Sequence, residues 1–149
     1  MSAEARIKEL GIELPTPPSP VANYVRTVQV GNLLFLSGHG PSPTCPAGKL
    51  GRDLTIEQGY QAAREVGINL LASAKGHLGS LDRVKRVVKV LGMVNSVPEF
   101  GDQPKVMNGC SDLFVDVFGD AGKHTRSAVG FVALPNQIPV EIECLFEVE

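Results

Sequence analysis

Hydrophobic and polar positions alternate or recur in blocks along this chain, and each block predicts an element. Residues 24–30 and 33–37 are dense in β-formers and flank Gly31-Asn32, a pair suited to a two-residue hairpin turn. Between Gly38 and Asp53, Gly and Pro interrupt every pattern, which predicts a long loop of the kind that carries function or moves. Ile56, Tyr60, Ala63, Gly67, Leu70 and Ala74 then recur at helical spacing, with Gln61, Arg64, Glu65 and Lys75 opposite. Thr55 and Gln58 form a capping box at the start of that helix, and Gly76 or Gly79 supplies its stop. Residues 83–94, rich in valine with charge interleaved, predict a strand.

A second helix should start at Asp102 as cap, with Pro104 in its first turn and Gly119 as its end. Val106, Cys110, Leu113 and Val117 give it an apolar face flanked by Phe114 and Phe118. Residues 125–134 and 140–148 are the final strands. In the last, Val140, Ile142, Cys144, Phe146 and Val148 fall on one side, and Glu141, Glu143, Glu147 and Glu149 on the other. Ahead of all this, residues 3–10 can form a short helical segment. The run 14–20 is an extended arm, because its prolines lack N–H groups and restrict their neighbours.

The order ββ, α, β, α, ββ implies an α+β fold: one mixed or mostly antiparallel sheet with two helices packed on one face. The 149 residues suit a single domain, 1–149, in which 1–20 are the helical segment and proline-rich arm. A sheet face bearing glutamates calls either for solvent or for an interface between subunits.

Composition narrows the function more by exclusion. A net charge of −2 without a basic run argues against a nucleic-acid surface. No apolar stretch approaches the roughly 20 residues that span a bilayer, and the charged start MSAEARIKEL is no signal peptide; both point to the cytoplasm and away from a membrane. Cys45, Cys110 and Cys144 are odd in number and widely spaced, so neither a disulfide framework nor a zinc site is expected, and Cys110 and Cys144 sit at core positions. His39, His77 and His124 are scattered, so no metal site is expected. Gly38-His39-Gly40-Pro41 lacks phosphate-loop spacing, and there is no G-x-S-x-G elbow.

Arg126 is the candidate that remains. It stands inside a strand pattern with Ala128 and Gly130 on its own face. An arginine there needs an acidic partner for its planar fork. That partner could be Glu141 across the turn, or a ligand carboxylate, and the residues alone leave both open.

The stretches Thr125-Arg126-Ser127-Ala128-Val129, Leu134-Pro135 and Val140-Glu141-Ile142-Glu143 resemble, in order and spacing, the signature of the YjgF-like or reactive-intermediate deaminase (Rid) family, also labelled endoribonuclease L-PSP or translation inhibitor. Asn23-Tyr24-Val25, Val30-Gly31-Asn32, Ser37-Gly38-His39-Gly40-Pro41 and Asn108 extend the resemblance to residues 21–149. The resemblance implies a chorismate-mutase-like fold, a homotrimer with three intersubunit clefts, and no cofactor. It implies hydrolytic deamination of small 2-enamino or 2-imino acids to 2-oxo acids, of the 2-iminobutanoate/2-iminopropanoate type. In that reading Arg126 grips the substrate carboxylate and Glu141 positions or activates water. Tyr24, Ser37, Gly38, His39, Asn108 and Ala128 line the pocket, Tyr24 coming from the neighbouring subunit's side. The alternatives are a carboxylate-binding regulatory trimer without turnover, and an endoribonuclease. Departures suggest a divergent, longer subgroup: Ala128 stands where the best-known deaminases carry Cys, His39 where the family usually has Gln, and the 38–53 loop and the N-terminal arm are longer than in the shortest members.

Overall fold

A computed structural model describes all residues except Pro18 and Val21, so those two positions of the proline arm and of the family-like region lie outside the described residues. Three helices accompany one five-stranded sheet: α1 (Ala3–Glu9), β1 (Thr27–Val30), β2 (Leu33–His39), α2 (Ile56–Leu78), β3 (Val84–Asn95), α3 (Gln103–Phe118), β4 (Thr125–Phe131) and β5 (Val140–Val148). The strand order is β1-β2-β5-β3-β4. Among these strand pairs β3–β4 is parallel, joined through α3, and β1–β2, β2–β5 and β3–β5 run antiparallel. This is the expected mixed sheet.

The alternation of β5 decides where the core sits. Val140, Ile142, Cys144, Phe146 and Val148 are buried against α2 and α3, together with Leu34, Leu36, Val87 and Val90 from the neighbouring strands. The opposite sheet face carries Glu141, Glu143 and Glu147 and is uncovered in the single chain. There Val28, Phe35, Val129 and Phe131 are exposed beside Lys89 and Glu143.

α2 begins as its sequence dictates. The Thr55 hydroxyl accepts the Gln58 N–H at 3.1 Å, and the Gln58 side chain accepts the Thr55 N–H at 2.9 Å. Gly79 closes the helix in the left-handed region at φ 82°. α2 and α3 pack so closely that a Cβ on Gly109 would fall onto the Tyr60 carbonyl oxygen.

Several expectations need correction. β1 starts at Thr27, so Tyr24 and Val25 are outside it. β2 runs on to His39, into the region expected as loop. β4 ends at Phe131 instead of Leu134. Ile56 and Tyr60 share the helical spacing but not the burial: Ile56 is exposed, and Tyr60 turns its hydroxyl to Asp112 at 2.7 Å. Asp102 makes no side-chain cap; its φ/ψ of −99°/29° is not the extended conformation a capping side chain needs, and its carboxylate pairs with Lys105 at 3.4 Å instead.

Candidate functional site

Arg126 enters at the start of β4 in register with Val90 of β3, whose side chain lies in the core. The arginine therefore leans toward α3. Its Nη1 donates to Asn108 Oδ1 at 2.9 Å and to Ser111 Oγ at 3.1 Å. Asn108 and Ser111 are three apart on α3 and so share a face.

Ser111 is itself held by His124, whose Nε2 lies 2.9 Å from its Oγ. The His124 Nδ1 lies 2.6 Å from the Gly122 carbonyl, which can only accept, so Nδ1 carries the proton. Nε2 must then accept the Ser111 hydroxyl proton, leaving a Ser111 lone pair for Arg126. Burial holds His124 below the usual imidazole pKa, the Gly122 contact opposes this, and Arg126 adds to the lowering, so the neutral ring this relay needs is favoured. Among the described residues no carboxylate pairs with Arg126. Nη1 of the fork is anchored, and among the described residues no hydrogen bond holds its other nitrogens.

Glu141 belongs to another place. In β5 it pairs with Met93, on the face away from the helices. β4 and β5 are consecutive but not hydrogen-bonded neighbours, because β3 lies between them. The pair of Arg126 with Glu141 across the turn is therefore not made. The Glu141 carboxylate instead covers the Gly38 backbone, where an added Cβ would come within 2.5 Å of Oε2.

Ser37 and Gly38 stand together against the single residue Glu143, a β-bulge in the β2–β5 ladder. The bulge is tied to the segment before β1: Ser37 Oγ donates to the Val25 carbonyl at 2.6 Å and the Ser37 N–H to the Arg26 carbonyl at 2.9 Å. The exposed Tyr24 directly precedes Val25, whose carbonyl the bulge binds. Burial, and then the neighbouring Glu143, raise the Glu141 pKa above the ordinary carboxylate value. That tendency suits a group that must take a proton from water.

His39 points elsewhere. It pairs with Ile142 on the helix face and is 3 % exposed. Its Nδ1 donates to the Ser37 carbonyl at 2.6 Å, and its Nε2 accepts from Ser73 of α2 at 2.7 Å. Burial lowers its pKa, so it stays neutral beneath the sheet instead of lending charge to the Glu141 side.

Within one chain the candidate residues thus fall into two groups: Arg126 with Asn108 and Ala128 on the β4 side, and Glu141 with Ser37 and Gly38 on the outer face. Beyond the i,i+3 spacing of Ser111 from Asn108, nothing in the sequence pattern marks His124 as a partner of Ser111 or Ser111 as a partner of Arg126.

Residues 4–147 match the model of a family described as "YjgF/chorismate mutase-like, putative endoribonuclease". The chain belongs to this YjgF-like family. Among curated relatives, Protein TCP17 of Trypanosoma cruzi is 44 % identical over 147 residues, covering 96 % of this chain and 92 % of that one. More distantly, a 2-iminobutanoate/2-iminopropanoate deaminase of Dermatophagoides farinae is 28 % identical over 140 residues, covering 93 % and 95 %. A crystal structure named "putative endoribonuclease" from Shewanella oneidensis superposes with a TM-score of 0.94 at 30 % identity, covering 99 % of this chain and all of that one. Among the described residues of this YjgF-like chain, no helix is long and apolar enough to cross a membrane.

Proposed function

We propose that this protein hydrolyses small 2-imino or 2-enamino acids to 2-oxo acids and ammonia, in a cleft formed between copies of the chain. The observation that carries the proposal is the Arg126 guanidinium: anchored by Asn108 and Ser111, unpaired with any acid among the described residues, and flanked by the small Ala128. A fork fixed in this way suits a carboxylate, which it can grip through two parallel N–H groups. The deaminase among the YjgF-like relatives supports the reaction type.

In the proposed reaction Arg126 holds the carboxylate and the C2=N bond is exposed to water. Water adds to C2 and one of its protons passes through Glu141 to nitrogen, giving a carbinolamine; its hydroxyl proton then passes to nitrogen as the C–N bond breaks, so ammonia leaves and C2 becomes the carbonyl of the 2-oxo acid. Glu141 must come from a second copy, since within one chain it lies on the other sheet face. The uncovered face with Val28, Phe35, Val129 and Phe131 supplies apolar area for that contact, and a ring of three copies pairs every Arg126 with a Glu141. Tyr24, at the mouth of the Ser37–Gly38 bulge, would close the cleft.

The test generates a 2-imino acid in situ with an amino-acid oxidase and follows its hydrolysis. Acceleration by wild type and not by Arg126→Ala is expected, the variant remaining folded because it strands no buried acid. Ala128 replaces the family's frequent cysteine, which favours a second reading: binding of a 2-oxo acid without turnover. No acceleration across several precursors, together with Arg126-dependent binding of 2-oxo acids, would select that reading.

A further inference from the structure

A second pocket lies at the far end of β4. β3 and β4 run parallel with α3 crossing between them, so the carboxyl ends of both strands meet the amino end of that helix. Such corners are favoured ligand sites, because backbone N–H groups at the helix start point toward them. A cleft of ≈ 420 Å³ opens here between this corner and the turn containing Lys49 and Arg52.

Two features mark it as built for a ligand. Ser96 is only 7 % exposed, and its hydroxyl, which makes no hydrogen bond among the described residues, opens to the cleft. That hydroxyl converges with the Gln103 side-chain amide over Gly130: a Cβ there would lie 2.7 Å from Ser96 Oγ and 2.9 Å from Gln103 Nε2. The missing side chain leaves a cradle edged by two donors.

The other polar groups are donors as well. Gln103 Nε2 gives one N–H to the Phe100 carbonyl at 2.9 Å and keeps a second. Lys49 Nζ binds Asn95 Oδ1 at 2.7 Å and the Val132 carbonyl, keeps a third N–H, and has no acid partner. Arg52 is matched by Asp53 at 3.0 Å, so one positive charge is left in excess. Val97, Pro98 and Phe100 make the remaining walls apolar.

We propose that this cleft binds a small monocarboxylate with an apolar or aromatic body, its carboxylate over Gly130 between Ser96, Gln103 and Lys49. A free lysine N–H beside a hydroxyl and an amide that can both donate suits an oxyanion, the single excess charge a monoanion, and the apolar walls a hydrocarbon body. Gly130 is four positions beyond Arg126, about 13 Å along the strand, and two beyond Ala128, so this site is a neighbour of the arginine site on the same face.

The probe is 3-phenylpropanoate, titrated into the full chain carrying Arg126→Ala, which removes the other carboxylate site. Its neutral amide is the control. Amide-resonance shifts confined to Lys49, Ser96, Gln103, Gly130 and their neighbours are expected, with no binding of the control. Gly130→Ala, whose methyl fills the cradle, should weaken binding tenfold or more, and Ser96→Ala several-fold. Should Gly130→Ala fail to fold, Lys49→Gln takes its place, with a similar loss expected. The proposal is overturned by shifts elsewhere only, by equal binding of the amide, by affinity unchanged in folded variants, or by no binding at millimolar ligand. None of these outcomes bears on the deaminase reading.

Discussion

At the scale of the residue, the protonation state of one imidazole sets the direction of a hydrogen-bond relay. Neutral His124 draws the Ser111 proton toward itself and frees the serine oxygen to accept from Arg126. Removing that oxygen leaves Asn108 as the arginine's one side-chain anchor. Ser111→Ala should therefore raise KM for imino acids by about three- to tenfold while kcat changes less, since one charge-assisted hydrogen bond is lost. Steady-state kinetics separate the two parameters, and a fall in kcat alone would count against a positioning role.

His39 and His124 also make stability depend on pH. Burial puts both below the ordinary value of 6.5 in the fold, so the unfolded chain binds their protons more readily. The stability they contribute is complete above about pH 6.5 and is lost as pH falls toward their depressed folded values. Urea midpoints should drop over that window, and the drop should shrink in His39→Gln. An unchanged slope in that variant would contradict the buried neutral ring.

At the scale of the element, the seam between α2 and α3 tolerates no added atom at Gly109, because the obstacle is the Tyr60 backbone and cannot rotate away. Gly109→Ala should cost about 3 kcal/mol or more in urea denaturation. Gly101→Ala, where a Cβ meets open space, should cost little. The elements were largely readable from sequence where local physics suffices. The strict alternation of β5 fixed its bounds, and Thr55 and Gln58 announced the start of α2. Reading failed where a distant partner overrides propensity. Tyr24 and Val25 favour a strand, yet the Ser37 side of the bulge takes the Val25 carbonyl and no ladder forms there. Arg126 could be recognised as costly, but not its separation from Glu141, because no local pattern reveals that β3 inserts between two consecutive strands.

At the scale of the whole molecule, the proposed pairing of Arg126 with Glu141 from another copy makes a quantitative expectation. Arg126→Ala keeps a sound Glu141, and Glu141→Gln keeps a sound Arg126. Each alone should be inactive. Unfolded together in equal amounts and refolded as rings of three, they should place an intact pair at about a quarter of the clefts, with activity to match. No recovery in well-folded mixed oligomers would mean that both groups act from one chain.

The position of β5 reaches beyond equilibrium structure. It is the last strand in chain order, yet it lies at the centre of the sheet, pairing Glu147 with Leu33 on one side and Val140 with Val94 on the other. During synthesis the β1–β2 hairpin and the β3–α3–β4 unit emerge first, each with an unpaired edge facing the gap that β5 will fill. Until the ribosome releases that segment, the nascent chain must hold two open edges without pairing them wrongly. Closure then depends on contacts between residues far apart in sequence, which makes it slow. Crowded translation would thus be the moment of greatest aggregation risk for this chain, and a chaperone that shields sheet edges would act before β5 arrives.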